Sequence, residues 1–186
     1  MQNIEYKAEL RDLPLARTIA RSIGAQLAET MQQTDTYYRV ADARLKRRDI
    51  AWIEEANYGQ HLIGAETLTE YIHYTRADAA RPRASDYTVY TPERARELFG
   101  ELPLPPWTTV KKLRELHLYK GARIHLDRVD NLGTYIEFEA PVTPERPETE
   151  ARAVVAELLE AFRPAMGEAI AKGYADLLTA ETDSGQ

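Results

Sequence analysis

Five segments of this 186-residue chain carry polar or ionisable side chains at every second position, with the signs sorted by segment. Asn3, Glu5 and Lys7 share one side of an alternating run; Arg44, Lys46 and Arg48 share another. Lys112 and Arg114 form a third set, Arg123, His125 and Asp127 a fourth, and Glu137 and Glu139 a fifth. Taken singly, each set reads as the solvated face of a sheet laced with weak surface ion pairs. Repetition strains that reading. If the strands close on themselves the charged faces point inward, where they are tolerated only with water, metal or ligand present. Lys and Arg on one side and clustered carboxylates on the other suit one type of ligand. The bases hold phosphate oxygens, and the carboxylates hold divalent cations that bridge to the same phosphates.

The elements that must position these residues follow from period and punctuation. Residues 3–10 alternate in period two, as a half-buried strand should. Asp12 and Pro14 then open a helix in which Leu15, Ile19, Ile23 and Leu27 recur every four residues. Strands are expected over 34–40, 43–49 and 67–76; in the last, Glu70, Ile72, Tyr74 and Arg76 share a face. A turn is expected at Asn57-Tyr58-Gly59 and a loop over 79–85 around Pro82. A short strand over 86–90 precedes a helix of about two turns from Pro92 to Gly100. Pro103, Pro105 and Pro106 form a stiff connector. Long strands over 109–119 and 122–130 flank a turn at Lys120-Gly121, and Asn131-Leu132-Gly133 leads to a last strand over 134–140. Helices are expected over 149–162 and 168–178, with a disordered tail over 181–186. This is one α+β domain over 1–180 with a largely antiparallel sheet.

Composition bounds the function. The 44% hydrophobic content suits one domain with a real core. A net charge of -6, from 24 basic and 30 acidic residues, argues against nucleic acid or an anionic membrane as partner. With no cysteine, disulfides and cysteine–zinc sites are excluded. No apolar stretch approaches the roughly 20 residues of a membrane span and no signal-peptide core is present, so a cytoplasmic protein is the default.

The N-terminal Asn3-x-Glu5-x-Lys7 resembles the Glu-x-Glu-x-Lys signature of the CYTH superfamily: class IV adenylyl cyclases, thiamine triphosphatases and inorganic triphosphatases, also called triphosphate tunnel metalloenzymes. Asp35-Thr36-Tyr37-Tyr38-Arg39-Val40 and Arg44-Leu45-Lys46-Arg47-Arg48 are similar to its next two strands. Val110 to Arg114, Ile124 to Val129, Leu132-Gly133 and Glu137-Phe138-Glu139 match its C-terminal half, and Gly173 to Leu178 its closing Tyr-x-x-Leu-Leu helix. The matches run in order from residue 3 to residue 178, and the stretch from Lys112 to Glu139 is the most specific.

The resemblance implies an eight-stranded antiparallel β-tunnel with flanking helices and a small-molecule triphosphate inside. Carried over by position, Lys7, Lys46, Arg48, Arg76, Lys112 and Arg114 would grip phosphates, with Arg123 and His125 beside them. Glu5, Asp127, Glu137 and Glu139 would hold Mg²⁺ or Mn²⁺, and Glu5, Lys7, Asp127 and Glu137 would carry the chemistry. Asn3 departs from the family's usual Glu: it offers an oxygen without a charge. Three functions share these residues: cyclisation of ATP to cyclic AMP and pyrophosphate, which whole-chain similarity favours; hydrolysis of a triphosphate; and binding without turnover. A homodimer is compatible with all three. His61, His73 and His117 are read as surface or packing residues, Trp52 and Trp107 as anchors, Tyr74 as either packing or tunnel lining, and Arg81 and Arg83 as solvated charges.

Overall fold

The computed structural model describes residues 1–40, 43–53, 63–100 and 105–184. The Asn57-Tyr58-Gly59 turn, His61 and Pro103 lie outside the described residues.

Among the described residues, nine strands and four α-helices follow in the order β1 (Gln2–Leu10), α1 (Leu13–Ser22), β2 (Gln26–Val40), β3 (Ala43–Ile53), β4 (Ile63–Arg76), β5 (Arg83–Tyr90), α2 (Pro92–Phe99), β6 (Pro106–Tyr119), β7 (Ala122–Val129), β8 (Gly133–Val142), α3 (Glu148–Phe162), β9 (Met166–Ala169) and α4 (Tyr174–Ser184). The sheet order is β5-β4-β3-β2-β6-β7-β8-β1-β9, and a further pairing of β5 with β1 closes eight strands into a barrel. All pairings are antiparallel.

Tight turns set the registers. Lys120 and Gly121 both have positive φ, 47° and 69°, which suits the twist of a two-residue hairpin between β6 and β7. Asn131 at φ 63° and Gly133 at 107° shape the three-residue turn, 130–132, between β7 and β8. Those registers place Lys112 opposite Val129, Arg114 opposite Asp127, and His125 opposite Glu137.

The barrel is built inside out relative to an ordinary one. Its apolar face points outward: Ile4, Ala8, Ile124, Leu126, Ile136 and Phe138 pack against Ala16 and Ala20 of α1 and Ala151, Val155, Leu158 and Phe162 of α3. Phe138 and Phe162 meet with ring centroids 5.4 Å apart. A smaller cluster of Tyr38, Leu45, Tyr71 and Ala95 lies between the other wall and α2. With the outside committed to helices, the alternate positions must face the lumen.

Five expectations are corrected. The first helix ends at Ser22, because Gly24 adopts φ 81° and the Ala25 amide caps back onto the Ala20 carbonyl at 2.9 Å. Leu27 therefore belongs to β2, which starts eight residues before the expected position 34. Residues 83–85 are strand rather than loop, since β5 pairs with β1 from Glu5↔Arg83 to Gln2↔Asp86. Residues 168 and 169 are strand rather than helix: β5 leaves the far half of β1's edge free, and β9 fills it through Ala8↔Ala169 and Leu10↔Met166. Finally, α4 continues to Ser184, into the stretch expected to be a disordered tail.

Candidate functional site

The lumen is a cavity of about 410 Å³, lined by seven basic side chains (Lys7, Lys46, Arg48, Arg76, Lys112, Arg114, Arg123) against four acidic ones (Glu5, Glu70, Glu137, Glu139). A protein of net charge -6 thus concentrates positive charge at one internal place, which is what a polyanion needs.

One end of the lumen is stopped by α4. Tyr174 is buried, with its hydroxyl donating to Asp127 Oδ2 at 2.9 Å and its ring under Lys7 Nζ at 3.7 Å. It sits in an apolar cluster with Tyr37, Val110, Val129, Tyr135 and Ala175, flanked by Trp107, Leu132, Ile170, Leu177 and Leu178. The sequence carried Tyr174 only as part of a helix motif.

Asp35, Asp127 and Glu5 are each tied to cations. Asp35, fully buried, accepts from Lys46 at 2.9 Å, from both nitrogens of the Arg48 fork at 2.6 and 2.8 Å, and from Lys112 at 3.5 Å. Burial alone would raise its pKa, but the Arg48, Lys46 and Lys112 charges outweigh it and hold the carboxyl well below the usual range. Asp35 had no assigned role in the sequence reading, and its partners Arg48 and Lys112 lie 13 and 77 residues away in the chain. Asp127 is likewise taken: Arg114 grips both its oxygens at 2.7 and 2.6 Å. Glu5 is bound by Arg76 at 2.5 Å and by Arg83 at 3.0 Å. Arg83 is therefore not a solvated charge; it is 5% exposed and lies on β5 facing the lumen.

Glu137 and Glu139 form a different grouping. Ligand atoms of His125, Glu137 and Glu139 all lie within 4.8 Å of one another, a grouping fit for a metal ion, and it holds neither Asp127 nor Glu5. His125 Nδ1 is buried without a hydrogen-bond partner, 3.7 Å from Glu137 and 3.8 Å from Glu139. Burial, reinforced by Arg114, lowers the His125 pKa, so the ring is neutral with a lone pair available. Glu137 and Glu139 are pulled below the ordinary carboxylate range against the effect of burial, Glu137 chiefly by Lys7 and Glu139 by His125 where it is protonated and by Arg123, and both stay anionic. A neutral imidazole beside two carboxylates is a donor set that fits a divalent cation. Asn3 borders this group. With its amide oriented to satisfy both ends, its oxygen accepts from Arg123 at 2.9 Å and its nitrogen donates to the Gln2 carbonyl at 3.2 Å.

The lysines pay for their burial in basicity. Desolvation, with Arg114 nearby, lowers Lys112 to about 7, and desolvation with Arg48 lowers Lys46 to about 8. Of the other residues weighed, His73 stacks near Phe99 at 5.8 Å, His117 is buried beside Glu115, and Trp52 donates to Glu29. Trp107 packs against the α4 plug, Tyr74 lines the cavity, and Arg81 is exposed.

A family model for the CYTH domain matches residues 1–174. The chain belongs to the CYTH family. No curated protein matches it. Solved structures share the fold at low identity. A conserved hypothetical protein from Pyrococcus furiosus is 16% identical, with 94% of this chain and 99% of that one covered at a TM-score of 0.68. A candidate adenylate cyclase from Vibrio parahaemolyticus is 16% identical, with 95% and 97% covered at 0.65. A candidate adenylyl cyclase from Hippeastrum with a dominant triphosphatase activity is 14% identical, with 100% and 97% covered at 0.53. CYTH proteins are triphosphate tunnel enzymes, and the lumen described here is the corresponding tunnel.

Proposed function

We propose that this CYTH protein is a divalent-metal-dependent enzyme that converts ATP to cyclic AMP and pyrophosphate. The observation that carries the reading is the placement of the His125–Glu137–Glu139 group relative to the bases. From the α4 plug outward, Lys7, Lys46, Arg48, Lys112 and Arg114 come first, while Glu139 and Arg123 lie toward the open end beside Asn3. A triphosphate entering free end first puts its β- and γ-phosphates among the deep bases and its α-phosphate beside the carboxylates.

In this reading Lys7, Lys46 and Lys112 act as point charges, and Arg48, Arg76 and Arg114 as planar forks on phosphate oxygens. Asp35 and Asp127 hold those bases in place, and Glu5 holds Arg76. Arg123 contacts the α-phosphate. His125, Glu137 and Glu139 would hold Mg²⁺ or Mn²⁺, which when bound supplies positive charge at the α-phosphate and acidifies a neighbouring hydroxyl. The ribose 3′-oxygen bonds to the α-phosphorus, the bond from that phosphorus to the β-phosphate oxygen breaks, and the hydroxyl proton leaves to water at the open end. Pyrophosphate departs from the cations that already bind it, so the charge developing on it meets donors fixed in advance.

Hydrolysis of a triphosphate is the second reading, supported by the dominant triphosphatase activity of the Hippeastrum neighbour. The Glu137→Gln variant tests the site under both readings. Turnover should fall by at least about 100-fold, and Mn²⁺ binding, read by electron paramagnetic resonance, should weaken with it. Unimpaired turnover would remove Glu137, and with it the proposed metal position, from the mechanism.

A further inference from the structure

Arg123 stands beside the His125–Glu137–Glu139 group and is held from two sides. One of its terminal nitrogens donates to Glu139 Oε2 at 2.9 Å and, with the Asn3 amide oriented as above, to the Asn3 oxygen, also at 2.9 Å. That nitrogen carries two hydrogens, one for each oxygen. Register makes the bridge. β8 lies between β7 and β1, with Glu139 opposite Arg123 on one side and opposite Glu5 on the other. Asn3 is the next lumen-facing position of β1 beyond Glu5, so the guanidinium reaches it across Glu139. The Arg123 Nε is buried and makes no hydrogen bond.

The two oxygens of Glu139 are thereby divided. Oε1 faces His125 Nδ1 at 3.8 Å, within the metal group, while Oε2 already meets a positive charge. Paired divalent cations in phosphoryl-transfer sites sit about 3.5–4 Å apart, so they must draw on neighbouring oxygens. A second cation here would need Glu139 Oε2 and the oxygen at position 3, and Arg123 engages both. Among the described residues, no other lumen carboxylate is free to help. Asp35, Asp127 and Glu5 are tied to bases. Glu70 lies on β4, four strands from β7 in the closed order of eight, and so on the opposite wall.

Resting on the metal-dependent reading above, we infer that this tunnel binds one divalent cation, and that the Arg123 guanidinium fills the place a second would take. Asn3 makes that substitution work. Its amide oxygen fixes the guanidinium without cancelling its charge, whereas an acid at the same position would neutralise it. The built-in cation keeps its Nε for a phosphate oxygen and depends on no second ion from solution.

The test is a count of bound Mn²⁺ per chain, from titration without triphosphate read by electron paramagnetic resonance of the free ion. Ions that bind equally well to Glu139→Gln lie elsewhere on this acidic chain and are subtracted. Wild-type protein should bind one. Asn3→Glu should still bind one, because Arg123 takes the new carboxylate. Asn3→Glu combined with Arg123→Gln should bind two, and Asn3→Glu combined with Arg123→Lys, which restores a cation, should return to one. Circular dichroism checks that each variant is folded; should the Gln combination not fold, Asn3→Asp with Arg123→Gln replaces it. Two ions in wild type or in Asn3→Glu alone would overturn the role of Arg123 while leaving the metal position intact. A count of one in the folded Gln combination would overturn it as well. No Mn²⁺ on wild-type protein would overturn the metal position itself, and the inference with it.

Discussion

Asp35 shows what a single residue does in this tunnel. With no exposed surface, it collects Lys46, Arg48 and Lys112 around one carboxylate. Removing one partner of a buried ion group leaves the others uncompensated, at a cost of about 3–5 kcal/mol. Asp35→Asn should therefore lower unfolding free energy by about that amount in urea titrations, and tripolyphosphate should restore more stability to the variant than to wild type. Unchanged stability would mean that Asp35 does not organise the bases. Sequence reading found the bases but not this residue, because one acid within a Thr- and Tyr-rich strand shows no pattern of its own. Arg83 escaped for a related reason. Its short strand follows Pro82 and carries polar lumen-facing positions, so no hydrophobic period announces it.

At the scale of elements, alternation was the legible signal, and it was legible because the tunnel reverses the usual rule. Charge at every second position of β1, β3, β6, β7 and β8 indicated one shared inward face, and the structure brings those faces together around one cavity. Element ends were less visible. A period of four carried the first helix on paper to Leu27, whereas Gly24 stops it. The strand β9 was invisible, since its cause is the unpaired half of an edge more than a hundred and fifty residues away in the chain. Separating helix-packed core from charged lumen has a testable consequence. Phe162 of α3 is completely buried against Phe138 in the helix-packed core. Phe162→Ala should cost about 3–5 kcal/mol of stability while tripolyphosphate affinity, measured well below the melting temperature, stays unchanged. Loss of affinity in a folded variant would show that the two faces are coupled.

For the whole molecule, the governing fact is a chamber lined with seven basic side chains inside an acidic protein. That chamber must respond to pH. Lys112 at about 7 and Lys46 at about 8 both lie below the ordinary lysine value. The unfolded chain therefore binds more protons than the folded one above pH 7, and unliganded stability should rise with pH from there toward 10 as the burial of two ammonium groups is relieved. Triphosphate binding has the opposite sign, because it needs both lysines charged. Affinity for tripolyphosphate should fall between pH 7.5 and 9, and calorimetry in buffers of different ionisation enthalpy should register proton uptake on binding. Constant affinity, or no uptake, would contradict lysines held neutral in the empty tunnel.

Which phosphorus is attacked decides the reaction, and phosphorus NMR of the products answers it most directly. Purified protein is incubated with ATP and either Mg²⁺ or Mn²⁺, the latter removed by chelation before recording. The resonances of cyclic AMP and pyrophosphate should grow together in equal amounts. ADP with orthophosphate, or ATP that persists unchanged with both metals, would contradict the proposed cyclisation.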